Sequence, residues 1–192
     1  GSGAAAGSPG TMPTGWTSSP SSGVSVSVSS VQAIKGIQTV TFAISGTVPS
    51  GGGSTYVFMG PSATTVPVSS GQQWTISAWL AASGCSSLNQ FYLLATYNVS
   101  GNIASSNLQP SLTSAVARFN VGGTVGGSNT TLSLPYFNAY FSAGTVNCSV
   151  TVGWPQQEPR SAPSSPIVTG SGAVSRPADV GTLLNPLPFG PA

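Results

Sequence analysis

The sequence predicts an all-β protein built as a two-layer sandwich, and three observations support this prediction. The 192-residue chain contains 25 glycines and 16 prolines, which divide it into short segments. Several of these segments alternate apolar and polar residues with a period of two, as strands with one buried face do. No segment shows the spacing of an amphipathic helix. A chain of this length can form one sandwich that buries roughly two thirds of its unfolded surface.

The clearest strand follows the turn residues at the start of segment 69–82. Its first face carries four apolar side chains, Trp74, Ile76, Ala78 and Leu80. Its second face carries Thr75, Ser77 and Trp79. An indole ring and aliphatic chains on one face need an opposing sheet to cover them. We therefore expect the remaining strands to supply that sheet.

The other strands are predicted from the same alternation, taken in chain order. They are 24–31, 37–44, 56–59, 91–97, 115–121, 130–141 with a break at Pro135, and 148–154. In the last strand the side chains expected to face inward are Cys148, Val150, Val152 and Trp154. Together with segment 69–82 this makes about eight antiparallel strands, which favours a jelly-roll β-sandwich.

The composition changes at both ends of the chain. Residues 1–20 are rich in Gly, Ser and Pro, and we expect an extended arm anchored by Trp16. Residues 21–155 contain the predicted sandwich. Residues 156–192 contain too many prolines for a sheet, so we expect an extended tail that packs on the domain or on a neighbouring subunit.

Charged residues are rare in this chain. The six charged side chains are Lys35, Arg118, Arg160, Arg176, Glu158 and Asp179. The resulting net charge of +2 argues against nucleic-acid binding and against a polybasic membrane surface. No apolar run approaches the roughly 18 residues of a membrane span, so no membrane insertion is expected. A nearly neutral surface does little to repel neighbouring copies, which favours assembly into a larger structure.

The residue types argue against catalysis. The chain has no histidine, which excludes Ser-His and Cys-His nucleophiles and histidine-containing metal sites. Glycosidases usually need two carboxylates beside the scissile bond. The two acidic residues, Glu158 and Asp179, both fall in the proline-rich tail, and Glu158 is expected to form a surface ion pair with Arg160. We therefore expect no enzyme activity, no metal and no cofactor.

The two cysteines, Cys85 and Cys148, allow two interpretations. If segment 69–82 pairs antiparallel with the last strand, Leu80 lies beside Cys148, and the loop carrying Cys85 can fold back to reach it. A disulfide is then feasible and contributes about 4 kcal/mol in the chain-entropy model. The alternative is a pair of buried thiols in a protein made in a reducing cytoplasm.

Surface recognition is the remaining function, and four residues are its candidates. In segment 136–141 the alternation places Tyr136, Asn138 and Tyr140 outward, while Trp79 points away from the core of its own strand, beside the small Ser149. Aromatic rings stack on the C–H faces of sugars and an amide bonds their hydroxyls, so these residues can serve a glycan site. The alternative, which we favour, is that the tail or another copy of the chain covers them, because interfaces are enriched in Tyr and Trp.

Four stretches of the chain together resemble a known group of proteins. They are GTMPTGW, SSGQQWTISAWLA, CSVTVGWPQQEP and APSSPIVTGSGAVSRPADV. Their order, which spans nearly the whole chain, resembles jelly-roll domains of tailed-bacteriophage virion proteins, a group similar to carbohydrate-binding modules. The group usually has Pro-Gln-Leu-Glu where this chain has Pro155-Gln156-Gln157-Glu158, and commonly carries more charge on its middle strands.

The resemblance implies a non-enzymatic component of a phage particle, as a head decoration, a head fibre or part of the tail. Its expected partners are other virion proteins and copies of itself, with a trimer favoured, together with polysaccharide on the host cell surface. Its expected location is the virion surface, after synthesis in the host bacterial cytoplasm. The alternative function is that of a carbohydrate-binding module from a secreted bacterial enzyme.

Overall fold

The structure, a computed structural model, describes residues 3–61 and 63–165, which form twelve strands. In chain order they are β1 Thr17–Ser19, β2 Val24–Ile34, β3 Ile37–Val48, β4 Gly53–Phe58, β5 Thr65–Pro67, β6 Gln73–Ser83, β7 Leu88–Thr96, β8 Asn102–Ala104, β9 Ala117–Thr124, β10 Thr131–Ser133, β11 Tyr136–Phe141 and β12 Gly144–Glu158. Within the described ranges the single helical element is a 3-10 turn, Gln109–Ser111. No helix in this part of the chain is long and apolar enough to cross a membrane.

Two five-stranded antiparallel sheets form the sandwich, which confirms the predicted fold class. Sheet I has the order β1-β4-β11-β7-β8, and sheet II has the order β2-β3-β12-β6-β9. Eight of these strands, in the orders β4-β11-β7-β8 and β3-β12-β6-β9, have the arrangement of a jelly roll. The additional four are β1 and β2 at the sheet edges and the separate pair β5 and β10. Compared with the eight predicted strands, β1, β5 and β8 are new, and the predicted segment 130–141 contains two strands, β10 and β11.

Strand β6 lies between β12 and β9, near the centre of sheet II. Its predicted inner face is confirmed, since Trp74, Ile76, Ala78 and Leu80 are all buried in the core. The opposite face is also covered, because Thr75 and Ser77 are each only 1% exposed. The Thr75 hydroxyl donates a hydrogen bond to the backbone carbonyl of Arg160, at 2.7 Å. Residues beyond β12 therefore cover a strand face that the alternation alone predicts to be exposed.

Strand β12 runs three residues beyond position 155, into the segment predicted as a tail. Its pairing with β6 shifts register between Gly153 and Gln156. Trp154 lies in this irregularity with a φ of 38° and is only half-buried, so the prediction that it faces the core is wrong. The reason is local, since Pro155 has no N–H to give to the sheet and strands tolerate proline at bulges.

The register between β6 and β12 also differs from the sequence-based expectation. The two strands pair antiparallel as expected, but Leu80 lies opposite Val152 and not beside Cys148. Trp79 likewise lies opposite Gly153 and not beside Ser149. Strand alternation constrains which face a residue occupies, but a shift by an even number of residues preserves that face.

The N-terminal residues lie against the sandwich. Trp16 packs on the core, with its ring centroid 6.1 Å from that of Phe42, and Ala4 and Met12 pack there too. The backbone N–H groups of Gly7 and Val28 bond the carbonyls of Val28 and Pro9, respectively. The arm therefore pairs with strand β2 over a short stretch and contributes to covering the core.

Candidate functional site

The outer surface of sheet I carries an unusual concentration of aromatic residues. Strand β11 alternates between the core, which buries Phe137, Ala139 and Phe141 completely, and this outer surface. Tyr136, Asn138 and Tyr140 are half-buried on the outer surface. The neighbouring strands β4 and β7 pair with β11 on either side. Their outward side chains therefore lie beside those of β11.

Cross-strand register brings three further aromatic residues to this surface. Asn138 lies opposite Tyr56 of β4 and Tyr92 of β7, and Tyr136 lies opposite Phe58 of β4. We call this surface the aromatic face, defined by Tyr56, Phe58, Tyr92, Tyr136 and Tyr140. Tyr56, Phe58 and Tyr92 were not among the four candidates predicted from the sequence. The alternation in β4 indicates the side on which Tyr56 and Phe58 lie, but not their neighbours.

The rings of β4 and β11 pack on each other. The Phe58 and Tyr136 centroids are 5.1 Å apart, those of Tyr56 and Tyr136 are 6.1 Å apart, and those of Tyr56 and Phe58 are 6.3 Å apart. These distances fall in the range of favourable aromatic pairs. Mutual packing restricts the rotamers of these side chains, so a ligand would meet a largely preformed surface.

Hydrogen bonds hold the two outer tyrosines of β11 and leave one amide oxygen unpaired. The hydroxyls of Tyr136 and Thr96 lie 2.6 Å apart, and the Tyr140 hydroxyl donates to the Gly51 carbonyl at 2.9 Å. The Asn138 Oδ1 atom is buried and has no hydrogen-bond partner in the described part of the chain. An unpaired buried acceptor costs about 1–3 kcal/mol, so the position favours a group that can donate to it.

Trp79 lies on the other sheet, away from the aromatic face. It pairs with Gly153 of β12 and with Arg118 of β9. The Arg118 guanidinium donates to the Ser164 carbonyl at 2.7 Å, the Ser77 hydroxyl at 2.9 Å and the Gln156 amide oxygen at 3.1 Å. Arg118 therefore holds the segment after β12 on sheet II, next to Trp79. Trp79 therefore does not share a surface with Tyr136, Asn138 and Tyr140, the three candidates on β11.

Glu158 differs from the expectation of a surface ion pair. Its carboxylate is buried and accepts hydrogen bonds from the N–H and the hydroxyl of Ser164, while Arg160 is exposed. The Ser164 carbonyl also accepts a hydrogen bond from Arg118, so both Glu158 and Arg118 bind Ser164. The other acidic residue of the chain, Asp179, lies outside the described residues. Residues 3–61 and 63–165 contain no group of three or more His, Cys, Asp or Glu suited to a metal ion.

The cysteines form a disulfide in the structure. Cys85, in the loop after β6, is bonded to Cys148 near the start of β12, with the two Cα atoms 4.3 Å apart. The bond connects positions 63 residues apart in the chain. It ties the loop between β6 and β7 to the central strand of sheet II.

Alkaline pH is expected to destabilise the fold through Tyr136. Burial raises the pKa of Tyr136 above about 10, its bond with Thr96 lowers the pKa by less, and Tyr56 adds to the rise. A raised folded-state pKa means that stability is complete below about pH 10 and is lost as pH rises through the folded pKa. We expect urea unfolding to show a falling free energy above pH 10, with a shallower slope in Tyr136→Phe. Equal slopes in the two proteins would contradict this prediction.

Comparison with known proteins found similarity to solved structures only. No protein-family model matches the chain, and no curated protein sequence matches it. One similar structure is a carbohydrate-binding module of the β-sandwich superfamily, with TM-score 0.46 and 13% identity over 75% of this chain and 57% of that chain. A second is TmCBM61 in complex with β-1,4-galactotriose, with TM-score 0.41 and 10% identity over 76% of this chain and 88% of that chain.

A third is the enzymatically active domain of tailspike protein 4 of bacteriophage CBA120. It has TM-score 0.39 and 10% identity over 74% of this chain and 19% of that chain. The chain thus spans little more than half of the first of these structures and about a fifth of the tailspike domain. At such scores, no ligand, activity or partner is carried over from these proteins.

Proposed function

We propose that this chain is a glycan-binding domain without catalytic activity, and that its aromatic face is the binding surface. The observation that carries the proposal is the row formed across three strands by Tyr56, Asn138 and Tyr92. Two phenol rings flank an amide whose buried oxygen has no partner among the described residues. Rings stack on the apolar C–H faces of a sugar, and a rotation of the half-buried Asn138 side chain would turn its amide oxygen toward a sugar hydroxyl.

The charge distribution favours a neutral glycan. The four charged side chains in the described ranges are Lys35, Arg118, Glu158 and Arg160. All four belong to sheet II, to its β2–β3 turn or to the segment that follows β12. Among the described residues, the aromatic face therefore offers no guanidinium or ammonium group for a uronate or a sulfate, and no carboxylate for a bound cation. Uncharged polysaccharides fit this surface best.

The proposal is tested by measuring binding to immobilised neutral polysaccharides. Wild-type protein is expected to bind at least one of them, and Tyr92→Ala and Asn138→Ala are each expected to weaken binding about tenfold, which corresponds to about 1.4 kcal/mol. Loss of a stacking ring or of a paired amide supplies an energy of this size. Val31→Ala, an exposed position on strand β2 of sheet II, is the matched control and should leave binding unchanged.

Two results would contradict the glycan-binding proposal. The first is no binding to any neutral polysaccharide at millimolar sugar concentration. The second is binding that Tyr92→Ala and Asn138→Ala leave unchanged. Stable self-association that masks the aromatic face would support the alternative that another copy of the chain covers it.

We also propose a virion as the setting of this domain, on the resemblance of its motifs to phage jelly-roll domains. In that setting it is a non-enzymatic head or tail component, it contacts other virion proteins and copies of itself, and it reaches host polysaccharide from the particle surface. The nearly uncharged composition supports dense packing. Mass spectrometry of purified particles tests this setting. Detection of the chain as part of a secreted hydrolase would favour the alternative, a carbohydrate-binding module.

A further inference from the structure

A small pocket of about 130 Å³ adjoins the aromatic face. Two residues of the face, Phe58 and Tyr136, form part of its lining, so the pocket is continuous with the proposed binding surface. Pro61 and Leu134 add further apolar walls. A cavity needs only about 10–15 Å³ of such space to hold one water molecule, so the pocket has room for a substituent of a sugar bound on the face.

The hydroxyl groups of the pocket already have partners within the protein. Thr96 and Ser133 line it. The Thr96 hydroxyl lies 2.6 Å from that of Tyr136. The Ser133 hydroxyl donates to the Leu134 carbonyl at 3.1 Å and accepts from the Thr96 N–H at 2.9 Å. An entering group therefore meets mainly apolar walls, together with hydroxyls that already bond within the protein and of which the Thr96–Tyr136 pair keeps one O–H that is not used within the pair.

We propose that the pocket receives the C6 methyl group of a 6-deoxyhexose in a glycan bound along the aromatic face. This inference rests on the proposed glycan-binding function. A methyl group gains contacts with the rings and with Leu134 without needing a hydrogen-bond partner. The hydroxymethyl group of an ordinary hexose brings a hydroxyl that loses hydration on entry and must share hydroxyls that already bond within the protein. An acetamido group is disfavoured for the same reason, because it brings both an N–H and a carbonyl.

Matched sugar pairs test the proposal. NMR titration of the full chain with methyl α-L-fucoside and methyl α-L-galactoside, and with methyl α-L-rhamnoside and methyl α-L-mannoside, compares a C6 methyl with a C6 hydroxymethyl on the same ring. We expect the 6-deoxy member of at least one pair to bind about tenfold more tightly, as one group in an apolar pocket allows. Equal or weaker binding of the 6-deoxy sugar in both pairs overturns the proposal. Tighter binding of N-acetylglucosamine than of the 6-deoxy sugars also overturns the proposal.

Two variants assign the preference to the pocket. Leu134→Ala removes an apolar wall and should bring the affinity ratio within each pair close to one. Leu134 is only half-buried and lies outside the core, so this variant should fold, and Leu134→Val is a milder replacement. Tyr92→Ala, on the face but not in the pocket lining, should weaken both members of a pair and preserve the ratio.

The outcomes separate this inference from the function on which it rests. A tenfold preference that persists in Leu134→Ala overturns the pocket proposal. Glycan binding that depends on Tyr92 but shows no preference for 6-deoxy sugars also overturns it, and leaves the glycan-binding function standing. Absence of any sugar binding overturns both.

Discussion

Replacing Phe137 with alanine is expected to lower the free energy of unfolding by about 3–5 kcal/mol. Phe137 is completely buried at the centre of the sandwich. Its ring centroid lies 5.1 Å from that of Phe91 and 6.2 Å from that of Phe42, so it joins sheet I to sheet II. Truncation to alanine removes these contacts and leaves a cavity that strands on both sides cannot easily fill. Urea unfolding followed by tryptophan fluorescence measures the loss.

The Phe137 variants also test how the core supports the aromatic face. Phe137 lies between Tyr136 and Asn138 in sequence, so a shift of β11 moves both outward side chains. We expect Phe137→Ala to weaken glycan binding as well as stability. Phe137→Leu, which fills more of the same space, should lose less stability and retain binding. A loss below about 1 kcal/mol in the alanine variant would mean that the core does not pack as the structure shows.

Removal of the disulfide by the double substitution Cys85→Ala and Cys148→Ala is expected to lower the free energy of unfolding by about 4 kcal/mol. The bond stabilises the fold mainly because it lowers the conformational entropy of the unfolded chain, in which it joins positions 63 residues apart. Stabilities of small domains are about 5–15 kcal/mol, so the loss is a large fraction of the total. Thermal and urea unfolding of the oxidised protein, the reduced protein and the double variant measure it.

Reduction provides the matched control for this prediction. Reduced wild-type protein should be close to the double variant in stability, and reductant should leave the double variant unchanged. Two reactive thiols in the unreduced, denatured protein would contradict the disulfide.

Local alternation was sufficient to predict the fold class and much of the core. The inner face of β6 and the inner face of β11 both follow from a period of two, because successive side chains of a strand point to opposite sides. The same alternation identified Tyr136, Asn138 and Tyr140 as a set distinct from the core. Trp154 is where this reasoning failed, because Pro155 interrupts the ladder and the next residues leave the period.

Segments distant in sequence decide the rest. The row of Tyr56, Asn138 and Tyr92 exists because β4 and β7 both pair with β11 in one particular register. The burial of Thr75 and Ser77, and the hydrogen bonds of Glu158 to Ser164, depend on a segment that returns across sheet II after β12.

The sequence by itself determined that the chain forms strands, which residues of each strand share a face, and that charge is nearly absent from its surface. Only the tertiary structure decided which strands are neighbours and in what register. It thereby decided that five aromatic side chains share one surface with Asn138, whose amide oxygen has no partner among the described residues. The physical reason is that side-chain alternation is a property of one strand's own backbone. Register and strand order arise from packing between residues that can be a hundred positions apart.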